Sequence, residues 1–253
     1  MGGWSGREER VPAFSSKLLV NRVPMPVVWA GSRFHRGNHS RKKSKSTYNE
    51  TSRQHCAAAN AYLEGLTIML AILVLMLAAL SRLLPHVFHG MAYNFTAVGA
   101  GLLFFGSRRP RWQAVLAVAV MALMDVFLTT KVYGYAFHVS GYLMTWAWYA
   151  AVCLMGSVLL RKVTALRVVG GVLASATSFF LLSNFMVWVS ASSVGSVMYP
   201  HSMAGLASCY AAGLPFYGND LMSTGVFAAA FFGLPVLVTR MVEMMDSTTQ
   251  PTV

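Results

Sequence analysis

The chain has 253 residues, 56% of them hydrophobic and only 11% charged. Soluble domains carry about 25% charged residues, so an ordinary soluble domain is excluded. The formal net charge is +12, but 11 of the 20 Lys+Arg lie in residues 1–60; the charge describes a tail, and no basic groove with interleaved aromatics marks a nucleic-acid interface.

Residues 1–60 read as a basic, disordered cytoplasmic N-terminal arm, with Arg7–Arg10, a Pro/Val patch near Pro24–Trp29 and the run Arg41-Lys42-Lys43-Ser44-Lys45. The arm lacks the layout of a signal peptide. Two readings of it stand: a segment lying near anionic lipid, or a native start further downstream that leaves part of residues 1–50 outside the product.

Uncharged runs then mark spans, because a bilayer core needs about 20 apolar residues in a helix. The runs Gly65–Ser81, Leu83–Ser107, Trp112–Thr130 (broken by Asp125), Val132–Leu160, Val168–Asn219 and Leu221–Thr239 predict six helices, at about 62–84, 92–107, 112–130, 139–160, 166–190 and 221–241. Ile68–Leu80 shows no polar stripe at the helical period, unlike a soluble helix, and nothing alternates as membrane β-strands do. The expected fold class is all-α: a polytopic membrane protein of about six transmembrane helices over 61–243, with N- and C-termini cytoplasmic. Residues 191–219, with Tyr199-Pro200 and Leu214-Pro215-Phe216-Tyr217-Gly218, predict a short helix (about 202–213) and loops over the outer face, as a lid or as a passive connector. Residues 244–253 read as a disordered tail.

The positive-inside rule sets the orientation. With the N-terminus inside, the arm, Arg108-Arg109-Pro110-Arg111, the Arg161/Lys162/Arg167 turn and Arg240 are all cytoplasmic, and only Arg82 and Lys131 remain outside. Counting 1.5 Å per residue then places the intramembrane polar residues Arg82, Asn94, Asp125, Asn184, Trp188, Asn219 and Asp220 in the outer half. His138, Trp146 and Tyr149 reach the same level.

Each of these has a plainer role beside a functional one. Arg82 snorkels from a helix end or pairs with Asp125. Trp146, Tyr149 and Trp188 form an interfacial aromatic belt or meet a ligand. Asn219-Asp220 is better read as the N-cap of the last helix. Asp125 is the hardest to explain away, since its neighbours are apolar and an intramembrane carboxylate is costly. Arg82 and Lys131 are the only cations on its side, which predicts an Asp125–Arg82 pair, either structural or part of a site. The cysteines Cys56, Cys153 and Cys209 are far apart and read as small packing residues. No metal motif stands out: His86 and His89 bracket a loop without an acidic partner. No cofactor is implied.

Arg82-x-x-Pro85, then Asn94-Phe95-Thr96-Ala97-Val98-Gly99-Ala100 leading to Phe104-Phe105-Gly106, resembles the opening signature of an uncharacterised bacterial six-span membrane protein family. Asp125 matches an Asp in that family's third span, and Phe179–Trp188, Tyr199-Pro200, Gly205, Cys209-Tyr210 and Leu214-Pro215-Phe216 continue the likeness. Ala97 stands where a Pro is expected and Ser183 where a Thr is. The size and polar cluster are similar to substrate-binding (S) components of energy-coupling-factor transporters. Those dock on a coupling subunit through small residues of helix 1; here Ala71, Ala78 and Ala79 are offered, without a regular Ala-x-x-x-Ala.

The expected function is a small-molecule-binding subunit of a transport system in the bacterial inner membrane, with an outward-facing polar site and no enzymatic activity. Arg82, Asn94, Asp125 and Asn184 would orient a polar ligand, with Trp146, Trp188 and Tyr210 packing against it. No GxxxxGK[ST] motif occurs, so any ATP drive comes from partner ATPases and a coupling membrane subunit. The alternatives are a structural or assembly subunit whose polar residues glue helices together, and a membrane enzyme acting on lipid, which the single acid at Asp125 and the lack of paired acids disfavour.

Overall fold

The computed structural model describes residues 41–87, 93–190 and 198–248. Two units emerge, residues 1–53 and 54–253. The described part of the first, 41–53, is helical. Helices account for nearly all the described secondary structure, and no strand occurs among the described residues. In chain order they are α1 (Arg41–Leu80), α2 (Leu84–Val87), α3 (Val98–Arg108), α4 (Ala114–Phe127), α5 (Leu143–Leu159), α6 (Ala165–Ser190) and α7 (Met203–Thr248).

Four stretches are long and apolar enough to cross a membrane: Ala61–Val87, Arg111–Val132, Ala165–Ser190 and Met203–Val238; Leu143–Leu159 is apolar but shorter. Their outward faces carry Leu66, Met69, Leu73, Leu123, Leu166, Val226 and Leu237, all exposed, as expected where the surrounding solvent is lipid. The chain is thus built as a multi-pass membrane protein.

The core is organised around α3. Its sequence is apolar on every side, and Val98 through Gly106 are buried without a break, the pattern of a fully enclosed helix. Glycines let the neighbours approach it at backbone distance. A methyl group on Gly106 would strike the Cys153 carbonyl of α5, and one on Gly156 of α5 would strike the Leu103 carbonyl of α3. This is small-residue packing of the kind that joins membrane helices. On another side, Gly101 meets the Ala78 methyl of α1. Ala71, Ala78 and Ala79 are all buried within the chain, so the small residues of α1 serve internal packing.

A polar tie fixes the start of α3. The Ser81 hydroxyl, in the 3-10 turn Ser81–Leu83 that ends α1, donates to the Ala78 carbonyl (2.7 Å) and accepts the Ala97 N–H (2.8 Å). It thereby satisfies an N–H that α3 leaves open at its N-terminus.

Several expected boundaries differ. Helix begins at Arg41, inside the arm expected to be disordered, while residues 1–40 lie outside the described residues. The second predicted helix starts at Val98 and not near 92, because Asn94 adopts φ +60° and breaks the helical path. The expected short helix at 202–213 and span at 221–241 are one helix, α7, which continues through Pro215 and Pro235 and runs past residue 244 to Thr248. Proline ends helices in water, but membrane helices tolerate it because their neighbours re-satisfy the freed backbone groups. Residues 203–219 are therefore the first half of α7 rather than a lid; residues 191–197 of that expectation lie outside the described residues.

Candidate functional site

The expected site residues fall into two groups. The first gathers on Asp125, in α4, which is 1% exposed. One carboxylate oxygen is paired with the Arg82 guanidinium, and the other accepts the Trp146 indole N–H at 2.9 Å. The buried Tyr149 hydroxyl interacts with both Arg82 and Asp125. Phe137, Tyr142 and Trp146 stack successively beside them, with ring centroids 4.9–6.3 Å apart. Arg82 therefore turns inward rather than snorkelling, and Trp146 and Tyr149 serve this buried cluster rather than an interfacial belt.

Immediately after Asp125 the helix widens into a π-helical turn, Leu128–Val132. There the Thr129 hydroxyl donates to the Asp125 carbonyl at 2.7 Å and shares a hydrogen bond with the Tyr142 hydroxyl. Both oxygens of the Asp125 carboxylate have donors, so this cluster is a closed structural latch between the end of α1, α4 and α5.

The second group lies between α6 and α7. Positions 177, 181, 184 and 188 of α6, spaced as one helix face, each bond to the following segment. Thr177 shares a hydrogen bond with the Tyr217 hydroxyl (3.0 Å), the Leu181 carbonyl accepts from the Tyr210 hydroxyl (3.0 Å), and the Asn184 carbonyl accepts from the Cys209 thiol (3.3 Å). The Trp188 indole donates to the Pro200 carbonyl (3.1 Å), while His201 donates to the Trp188 carbonyl (3.0 Å). These contacts run in opposite directions along the two helices, so α6 and α7 are an antiparallel, hydrogen-bonded seam. Tyr210 and Trp188 are committed to it. Cys153 and Cys209 are buried free thiols.

A small cavity opens on this seam, lined by Asn94, Phe179, Phe180, Ser183, Asn184, Gly213, Phe216, Tyr217 and Asp220. About 20 Å³ of it admits the centre of a water-sized sphere, enough for a water or a small ion. The Asn184 amide donates to the Phe180 carbonyl of its own helix (2.8 Å) and packs on Gly213, where no side chain intervenes. Opposite it, Asn94 sits in a turn held from α7: the Asn219 amide donates to the Tyr93 carbonyl (3.0 Å), and Tyr93 meets Phe216 edge-on.

Asn219 and Asp220 are thus not a helix cap. α7 begins at Met203, so both stand deep inside it; Asn219 braces the Asn94 turn, and the buried Asp220 lines the cavity. Asp220 is the residue the sequence underrated. Its signal was the same as that of Asp125, an acid within an apolar run, obscured by the neighbouring Pro215 and Gly218, which suggested a loop. Among the described residues, no Lys, Arg or His forms an ion pair with it.

No curated protein and no solved structure matches the chain. A family of unknown function, DUF6580, matches residues 63–245, which take in α3 to α6, nearly all of α7 and every residue of the two polar groups. Because the match spans well over half of the chain, the protein belongs to the DUF6580 family of unknown function.

Proposed function

We propose that the protein is the solute-binding subunit of a membrane transport system, and that the solute is small, polar and bound at the Asn94–Asn184–Asp220 cavity. Asp220 carries this reading: a buried carboxylate without a cationic partner among the described residues, facing a cavity, is costly to keep in a membrane without a use. The cavity combines a few polar groups with aromatic walls from Phe179, Phe180 and Phe216, as small-molecule sites do. At about 20 Å³ it admits a group the size of a water, such as the polar tip of a longer solute.

The short α3 gives further support. Rising 1.5 Å per residue from its basic end at Arg108, it reaches the Asn94 turn after roughly 16–20 Å, inside a bilayer core of about 30 Å. Irregular backbone at that depth is tolerated where it lines a cavity, and broken helices form the binding sites of many transporters. In this reading the chain makes six passes in a bacterial inner membrane, with both termini cytoplasmic and the cavity reached from outside. Of the seven residues expected at the site, Asn94 and Asn184 contact the solute, while Arg82, Asp125, Trp146, Trp188 and Tyr210 hold the helices that form it. Energy would come from partner ATPases and a coupling membrane subunit, which must dock elsewhere than on the buried alanines of α1.

Thermal unfolding of the purified protein in lipid nanodiscs against small amides, amino acids, nucleobases and vitamins tests the reading. A solute that raises Tm for the wild type, but not for Asn94→Ala or Asn184→Ala, supports it. No stabilisation by any member of the panel, together with copurification of a stoichiometric partner unrelated to transport, replaces it with an assembly role.

A further inference from the structure

A set of oxygen atoms below the cavity has no assigned role. Ser175 of α6 and Thr224 of α7 are 1% and 0% exposed, and both hydroxyl oxygens are buried without a hydrogen-bond partner. They converge on one point: a methyl group built on Gly99 of α3 would lie 2.8 Å from the Ser175 Oγ and 2.9 Å from the Thr224 Oγ1. The two hydroxyls therefore face each other across a bare glycine, where three helices meet. Thr224 is four residues after Asp220, on the same face of α7, and its hydroxyl lies beside the Asp220 carboxylate. Asp220 in turn lines the cavity together with Asn94.

Buried hydroxyls without partners are uncommon and costly, and a buried carboxylate needs a proton or a cation. Oxygens of this kind, from a carboxylate, hydroxyls and an amide, are the ligands of hard cations. The charge count fixes the valence. One carboxylate balances one positive charge, and no group of three or more His, Cys, Asp or Glu able to hold a metal occurs among the described residues. Divalent ions held by proteins gather further carboxylates or carry phosphate ligands with them.

We propose that Asp220, Thr224, Ser175 and Asn94 form a binding site for a small monovalent cation, sodium in size, at the junction of α3, α6 and α7. Only glycine at 99 lets the two hydroxyls approach, since a methyl group there would crowd both of them. The site shares Asn94 and Asp220 with the solute cavity but does not require the transport reading, since a cation held there would tie three helices together whatever the protein carries.

Radioactive sodium binding and thermal unfolding, measured on the full-length protein in nanodiscs with choline as the inert replacement ion, test this. Saturable binding near one sodium per chain is expected, with Tm higher in sodium than in choline. Thr224→Val and Ser175→Ala should each weaken binding about tenfold, and Asp220→Asn should abolish it while leaving the protein folded. Gly99→Ala should also abolish binding; should it fail to fold, Thr224→Val, a nearly isosteric change, carries the test alone. Equal Tm in sodium and choline with no bound sodium overturns the proposal, as does a Tm that responds to pH but not to sodium, which would make the ligand a proton. Bound sodium without any stabilising solute upholds the cation site against the transport reading; a stabilising solute without bound sodium does the reverse.

Discussion

The Asp125 carboxylate holds the Arg82 guanidinium across 43 residues of sequence, and its second oxygen takes the Trp146 indole N–H. Removing one member strands the others. Asp125→Ala should therefore destabilise the protein by about 3 kcal/mol, the usual cost of breaking a buried pair. The combined Arg82→Met, Asp125→Leu protein should recover much of that loss. A double-mutant cycle on thermal unfolding measures the coupling; strictly additive effects would show that the contact does no structural work.

The reciprocal glycine contact between α3 and α5 leaves no room for a methyl group. Gly106→Ala and Gly156→Ala should each cost about 1–3 kcal/mol from overpacking, because the obstructing atoms are the backbone carbonyls of Cys153 and Leu103. Gly170→Ala is the matched control, since nothing lies within 4 Å of the added carbon, and its Tm should equal or exceed that of the wild type. Equal stability of all three proteins would contradict the close crossing of the two helices.

Along the α6–α7 seam, Tyr210→Phe and Thr177→Val each delete one interhelical hydrogen bond. Membrane proteins gain about 0.6 kcal/mol from such a bond, so each loss should be small, and the two should nearly add. Unfolding in graded denaturing detergent resolves this; a loss of several kcal/mol from either one would assign that side chain a larger role than a single hydrogen bond.

The proposed orientation is open to direct measurement. In a cysteine-free background, a cysteine at Phe137 should react in intact cells with a membrane-impermeant thiol reagent. Cysteines at Arg109 or Lys162 should react only after the cells are opened. The reverse pattern would invert the protein and place the solute cavity on the other side.

Much of this arrangement was legible in the sequence where the physics is one-dimensional. Uncharged runs located α4, α5 and α6 to within a few residues, and the apolar stretch Ala61–Val87, but not the start of α1 at Arg41. The Arg82–Asp125 pair could be anticipated because each charge had so few alternatives. What stayed hidden depended on context. Pro215 suggested a break that apolar surroundings do not enforce, so Asn219 and Asp220 were misplaced at a helix start. Trp188 and Tyr210 looked like ligand contacts because nothing in the sequence says that a carbonyl on a neighbouring segment will take their hydrogens. The facing hydroxyls of Ser175 and Thr224 come from helices almost fifty residues apart, and only packing against Gly99 brings them together.

The brevity of α3 bears on how the protein is made. Eleven residues cannot hold a segment across a bilayer that needs about 20, so this stretch has little tendency to leave the translocation channel for lipid by itself. The longer helices on either side must set the topology first, and α3 then takes its place as they close around it. Placing it is thus a late assembly event, and the α5 contact at Gly106 and Gly156 guards how the chain is threaded as well as how firmly the finished protein holds.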